Sequence, residues 1–222
     1  MEGRRAGCCS DLPDVVRLAD GVHMASVDED LVILDLRSDT YACIPAAAES
    51  LTVRDGVLAC EPGMLEALLA ADLAVRDAPA PGSPELPPLP DTELPTSSQV
   101  RLRDLIRCWT CAWGIRRFGP ATPVRDLLAA LPPRPPQASE VRQVAALTAA
   151  FQAALPWTPG QGACLYRAFL LLTLLRRHGQ NATWVFGVKT WPFSAHCWLQ
   201  VEHQVLDDDP DRVSLYTPIM AV

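Results

Sequence analysis

The sequence predicts an α+β protein of two domains, and three observations support this prediction. Short segments with alternating apolar and polar residues occupy much of the first 77 residues. A stretch rich in proline, serine and acidic residues follows at 78–97, and this composition is typical of an extended linker. The region 98–222 begins with helical patterns and ends with strand patterns, which predicts helices packed on an antiparallel sheet.

The first domain, residues 1–77, is predicted to contain strands followed by helices. "VHMASV" and "LVILDL" are separated by a short acidic turn, which is typical of a β-hairpin, and "TYACI" predicts a third strand. Two helices are predicted next, at 46–54 and 62–73. This order favours a small winged-helix-like fold.

The second domain, residues 98–222, is predicted to have four helices and then three strands. The helical patterns lie at 99–119, 122–131, 139–155 and from Cys164 to the basic residues before Gly179. The strand patterns lie at 182–189, 194–201 and 204–208, with a tight turn between the last two. Helices are therefore expected to pack on an antiparallel sheet.

The composition limits the classes of protein. The chain has 222 residues, a net charge of −7 and a pI near 5.0, and this acidic balance disfavours a nucleic-acid binder. Its longest apolar run, Ala168–Leu175, is far shorter than the ~20 residues of a membrane span. The first residues lack the apolar core of a signal peptide, so we expect a cytoplasmic protein whose eight cysteines are reduced.

One cysteine and one histidine stand out by their local context. Cys164 begins an apolar helical pattern, and a helix N-terminus favours both a thiolate and an oxyanion. His196 lies in a predicted strand, and Asp207 and Asp208 lie in the next one. Adjacent strand residues point to opposite faces, so only one of these acids is expected to reach the imidazole. From spacing alone, Cys164 is either a nucleophile or a packed thiol.

Several short motifs follow one another from Cys164 onward. They are Cys164, Leu165 and Arg167, then Arg176, Arg177 and Gly179, then Gly187 and Val188, then Ala195, His196 and Trp198, and finally Asp208. With these motifs the last 60 or so residues resemble the leader-peptide protease of lasso-peptide biosynthesis, the B protein of microcin J25-type clusters. The chain departs from that family's pattern at Ala168, where serine is common, and at Cys197, where alanine is common.

The resemblance implies a transglutaminase-like, papain-related fold for residues 98–222. It implies a cysteine endopeptidase that removes the leader peptide of a ribosomally made precursor. Cys164 is then the nucleophile, His196 the general base and acid, and Asp208 the residue that orients His196, with Asp207 as the alternative. No metal and no directly bound cofactor are expected. The implied partner is an asparagine-synthetase-like cyclase that uses ATP to close the macrolactam.

Residues 1–77 resemble the PqqD-like peptide-recognition element that is fused to the protease in part of this family. This implies that Tyr41, Ala42 and Cys43 pair with an extended leader peptide by β-augmentation. Trp198 is a further predicted substrate-binding residue. Two other functions stay open: a catalytically silent peptide-binding adaptor, and another transglutaminase-like acyl-transfer enzyme.

A second cysteine motif, Cys108–Cys111, has the CxxC spacing. It lies inside a helical pattern and has no second pair of ligands, so packed thiols are expected rather than a redox or zinc site.

Overall fold

The structure is a computed structural model of the chain, and it describes residues 16–54, 57–76, 86–95, 100–119, 121–158 and 164–222. The strands are β1 Val16–Leu18, β2 Val22–Val27, β3 Asp30–Asp35, β4 Thr40–Ile44, β5 Leu51–Arg54, β6 Val57–Cys60, β7 Ala74–Arg76, β8 Thr92–Glu93, β9 Thr183–Lys189, β10 Ser194–Val201, β11 Gln204–Leu206 and β12 Thr217–Ala221. The helices are α1 Pro62–Ala70, α2 Leu102–Gly114, α3 Val124–Ala130, α4 Val141–Ala154, α5 Cys164–Arg177 and α6 Pro210–Val213, with a 3₁₀ turn at Leu155–Trp157.

The chain divides into two compact units. The first consists of residues 1–20 and 50–83, and the second of residues 21–49 and 84–222. This division differs from the predicted one, in which residues 1–77 form one domain and 78–97 a linker. Part of the predicted linker lies in the sheet of the second unit, where β8 pairs in parallel with β11 and Leu94 is buried.

The first unit contains a four-stranded sheet in the order β5-β6-β1-β7, with α1 between β6 and β7 in the chain. Its described core includes Val16, Leu58 and Leu68. The predicted helix at 46–54 is wrong, because Leu51 pairs with Cys60 in the β5–β6 ladder. Of the two helices predicted between residues 46 and 73, only the second is present, and the winged-helix-like order is not confirmed.

The described residues of the second unit form two sheets. The strands β2, β3 and β4 form an antiparallel meander, as predicted, and β4 is an outer strand of it. The other sheet has the order β12-β9-β10-β11-β8, and α5 packs against β10. The mixed helix and sheet content agrees with the predicted α+β class.

The meander belongs to the second unit because its apolar side chains share that unit's core. Val32 and Leu34 of β3 are almost fully buried, and they lie in one cluster with Phe169 of α5 and Phe186 of β9. Polar contacts add to this, since the backbone N–H of Val124 donates to Asp39 at 3.2 Å.

Helix α5 is apolar on nearly every side because it lies in the middle of this core. Every residue from Ala168 to Leu175 is buried. Gly179 ends the helix with φ +74°, a conformation that glycine adopts without strain, and the N–H of Gln180 donates to the carbonyl of Leu175. Within the described ranges, every helix is too short or too polar to cross a lipid bilayer.

Candidate active site

Cys164 is the first residue of α5, so its thiol lies at the N-terminal end of a buried helix. The side chain is half-buried and interacts with His196 and Cys197 of β10. A small cavity of about 100 Å³ lies beside these three residues, and Asp207 and Asp208 also line it. Residues 159–163, the segment before the helix with Gly160 and Gly162, lie outside the described residues.

His196 is held on several sides. It is only 5% exposed, and its Nε2 donates to Oδ2 of Asp208 at 2.6 Å. Its ring stacks with Trp198 at 6.3 Å between centroids and lies 5.2 Å from the ring of Tyr216. Because Nε2 is used by Asp208, Nδ1 is the nitrogen left for the thiol.

The cross-strand neighbour of His196 is Gly187 on β9. A Cβ at this position would lie 2.7 Å from the ring of Trp198 and 2.9 Å from Cβ of Tyr216. Only glycine therefore leaves room for the two rings that pack against His196.

The two adjacent acids have different partners. Strand β11 ends at Leu206, and Asp207 adopts a left-handed conformation with φ 55°. Asp208 then contacts His196, whereas Asp207 forms an ion pair of 2.6 Å with Arg167 on α5. Of the two candidates, Asp208 is thus the acid that meets the imidazole.

The charges favour a thiolate–imidazolium pair. Hydrogen bonding with Cys197 and with His196 outweighs burial and lowers the pKa of Cys164 to about 4. Burial would lower the pKa of His196, but hydrogen bonds to Asp208 and Cys164 raise it to about 9. Burial would likewise raise the pKa of Asp208, yet the hydrogen bond from His196 keeps it below its ordinary value.

Cys197 is the residue that reasoning from the sequence missed. Adjacent strand residues point to opposite faces, so strand alternation alone directs Cys197 away from His196, and it does pack in the α5 core cluster. Because Cys164 begins the same helix, the buried Cys197 thiol still reaches it. Hydrogen bonding with Cys164 and burial raise the pKa of Cys197 well above its ordinary value, so it remains a protonated donor.

The other predicted residues lie in contrasting places. Ala42 and Cys43 are exposed on the outer strand β4, and Tyr41 is half-buried beside them. Trp198 is only 2% exposed and donates its Nε1 to Gln200, which leaves little of its ring for a substrate.

The CxxC pair is buried on α2. Burial raises the pKa of Cys108 to about 12 and that of Cys111 to about 11, as expected for packed thiols. Among the residues that the structure describes, no group of His, Cys, Asp or Glu side chains is arranged to hold a metal ion.

A thiol at a helix N-terminus, an imidazole on a strand and a carboxylate bonded to that imidazole are typical of thiol enzymes that form acyl intermediates. The chain belongs to the transglutaminase-like superfamily, whose family model matches residues 105–221, more than half of the sequence. Members of this superfamily typically carry a Cys-His-Asp site, and the superfamily includes both cysteine proteases and acyltransferases. No curated protein and no solved structure matches the chain significantly.

Proposed function

We propose that this chain is a cysteine endopeptidase that removes the leader peptide of a ribosomally synthesised lasso-peptide precursor in the cytoplasm. The observation that carries the proposal is the 2.6 Å contact between His196 and Asp208 beside the Cys164 thiol. The resemblance of the motifs from Cys164 to Asp208 to those of the lasso leader-peptide protease supports this particular reaction.

In the proposed reaction, the Cys164 thiolate attacks the carbonyl carbon of the scissile peptide bond. The first-turn N–H groups of α5 have no acceptor within the helix, so they are suited to bind the oxyanion. The His196 imidazolium gives its proton to the leaving amine, which departs as the new N-terminus of the core peptide. Asp208 keeps the ring oriented and favours its charged form.

The second half of the reaction hydrolyses the thioester that remains on Cys164. Neutral His196 accepts a proton from a water molecule as that water attacks the carbonyl carbon. The tetrahedral intermediate collapses, the Cys164 thiolate leaves, and the leader is released as a carboxylic acid. The thiolate–imidazolium pair is thereby restored.

Recognition of the leader is proposed to use strand β4. An outer strand offers backbone N–H and C=O groups to an extended peptide, and Ala42 and Cys43 are exposed there. Strand β4 lies in the same compact unit as Cys164 and His196. The freed amine is then taken by an asparagine-synthetase-like cyclase, and ATP is required only through this partner.

The catalytic part is tested with the purified full chain, its precursor peptide, the cyclase and ATP, with products measured by mass spectrometry. Cys164→Ala is expected to leave the precursor intact, whereas Cys60→Ala, a matched loss of a half-buried thiol in the first unit, is expected to cleave at the normal rate. Cleavage by the Cys164→Ala variant would exclude this residue as the nucleophile.

The recognition part is tested by binding, using the Cys164→Ala variant and leader peptides that carry one N-methyl group at successive positions. Pairing with β4 requires every second peptide N–H, so affinity is expected to fall at alternate positions along the paired segment. A leader that binds with no such alternation would contradict strand pairing.

Membership of the superfamily supports a second candidate, acyl transfer to an amine instead of water. In that case the same assay with added primary amine yields an isopeptide or amide product rather than two fragments. A silent peptide-binding adaptor is distinguished by leader binding without any product and without Cys164 alkylation at neutral pH.

A further inference from the structure

Aromatic side chains gather where β4 approaches the turn between β9 and β10. The rings of Tyr41 and Phe193 lie 5.6 Å apart between centroids at an angle of 56°. Phe193 is 49% exposed and Trp191 is 76% exposed. Trp191 and Phe193 lie two residues apart in this turn, and exposed aromatic side chains so close in the chain are typical of a binding surface rather than of a solvated turn.

A buried carboxylate fixes this turn to the meander. The indole Nε1 of Trp191 donates to Oδ2 of Asp30 at 2.7 Å, and the N–H of Ala46 donates to Oδ1 of Asp30 at 3.0 Å. Asp30 is only 5% exposed. The polar atom of Trp191 is therefore satisfied within the protein, while its apolar ring remains available to a ligand.

The aromatic group lies close to the catalytic residues. Phe193 lies immediately before β10 and precedes His196 by three positions, which is about 10 Å along an extended chain. Tyr41 packs against the core cluster that contains Cys197 and that Cys164 also contacts. An extended peptide bound at the thiol would thus reach these rings within one to three residues.

The backbone of β4 offers a partner for the same peptide. This strand is the outer one of its sheet, and the side chains of Ala42 and Cys43 are too small to block an approaching strand. An extended peptide that pairs with β4 next to Tyr41 would carry alternate side chains toward the aromatic group.

We propose that Tyr41, Phe193 and Trp191 form a subsite that binds an apolar side chain of the peptide substrate, one to three residues before the scissile bond, while the peptide backbone pairs with β4. The inference rests on the proposed peptidase function, and it adds a requirement for the substrate: an apolar residue at one fixed distance from the bond that is cut.

The probes for the experiment are peptidyl chloromethyl ketones, in which the Cys164 thiolate displaces chloride. In an alanine background, phenylalanine replaces alanine at each of the three positions before the reactive group in turn. The second-order inactivation rate gives the preference for phenylalanine at each position. Iodoacetamide, which carries no peptide, measures the reactivity of the thiol itself.

The expected result is a preference of at least about 10-fold for phenylalanine at one position, the discrimination that a hydrophobic pocket supplies. Tyr41→Ala and Phe193→Ala should reduce this preference to below about 3-fold. The iodoacetamide rate of each variant is measured alongside and corrects for any change in the reactivity of the thiol itself. Trp109→Ala, which removes a 59% exposed ring from α2, should keep the preference. Because Phe193 is half-exposed, its variant remains informative if Tyr41→Ala does not fold.

An equal preference in wild type, Tyr41→Ala and Phe193→Ala would overturn the subsite, as would the absence of any preference. Such results with normal iodoacetamide alkylation of Cys164 leave the peptidase proposal standing, whereas loss of that alkylation counts against the peptidase. If Phe193→Ala instead converts a dimer to a monomer with no change in preference, the aromatic group pairs two copies of the chain and the proposal is wrong.

Discussion

The protonation state of Cys164 and His196 gives the sharpest prediction, because it needs no peptide substrate. The pKa of the thiol is lowered to about 4 and that of the imidazole is raised to about 9. The thiol is an acid and is charged at pH values above its pKa, whereas the imidazole is a base and is charged at pH values below its pKa. The ion pair is therefore expected between about pH 4 and pH 9, with full strength from pH 5 to pH 8.

The rate at which Cys164 is alkylated at a single pH does not test for the ion pair, because two effects on that rate cancel. At pH 6.5 an ordinary thiol with a pKa of about 8.5 is only about 1% ionised, so the pair supplies about 100-fold more thiolate. A thiolate whose pKa is lower by about 4.5 units is also less nucleophilic, by about 100-fold at a Brønsted slope of about 0.45. The shape of the pH profile distinguishes the two cases.

The assay is alkylation of Cys164 by iodoacetamide, followed by mass spectrometry from pH 5.5 to pH 8. For the ion pair the rate should change by less than about 2-fold, whereas an ordinary thiol gains about 200-fold over this range. A slope of tenfold per pH unit would refute the pair.

Asp208→Asn tests the source of the imidazolium. Asparagine keeps the shape of the side chain but removes the charge that raises the pKa of His196. The pH range over which the alkylation rate is constant should therefore end at a lower pH. The matched control is Asp209→Asn, since Asp209 caps α6 and asparagine also caps helices well. Identical profiles for the two variants would mean that Asp208 does not support the pair.

Three further predictions concern the surroundings of the site. Arg167→Met removes the ion pair with Asp207, the neighbour of Asp208, and should lower kcat about 10-fold or more with little change in KM. Arg167→Lys should partly restore kcat, and an unchanged kcat in Arg167→Met would mean that Arg167 does not help to position Asp208. Gly187→Ala should lower the midpoint of thermal unfolding, because the new methyl group lies 2.7 Å from the Trp198 ring and such overpacking costs about 1–3 kcal/mol. The control is Gly63→Ala on α1, whose methyl group meets nothing within 4 Å and should not lower the midpoint. Cys197→Ala removes a hydrogen-bond donor to the Cys164 thiolate, so the alkylation rate should become independent of pH only at a higher pH than in the wild type. An unchanged pH profile would show that this contact has no electrostatic effect on the thiol.

The residues of the candidate site could be found from sequence because each lies at a local landmark. Cys164 follows a loop pattern and starts an apolar helix, and His196 lies in a clear strand pattern. The choice between Asp207 and Asp208 could not be made from strand alternation, because the strand ends before them. The turn at Asp207, with φ 55°, directs each acid to its own partner.

The division of the chain could not be predicted from local patterns. The alternation in residues 22–44 predicts strands, but it does not say which surface those strands bury. A partial signal is present in Leu31–Leu34, four consecutive apolar residues that are each at most 2% exposed. Such a run is typical of a strand that is covered on both faces. The prediction of a helix at 46–54 is wrong because β5 pairs with β6, and this pairing outweighs the local helix propensity.

The placement of the meander changes how recognition and cleavage are related in the proposed function. If the leader-binding strand belonged to a separate domain on a flexible linker, binding would raise only the local concentration of the peptide near the thiol. Strand β4 instead shares a core with α5, and the contact between Tyr41 and Phe193 connects it to the strand that carries His196. In the proposed function, a peptide paired with β4 would therefore be presented to Cys164 in a fixed register. Orientation of this kind contributes to catalysis itself, because it lowers the entropy that is lost when the scissile bond meets the thiolate.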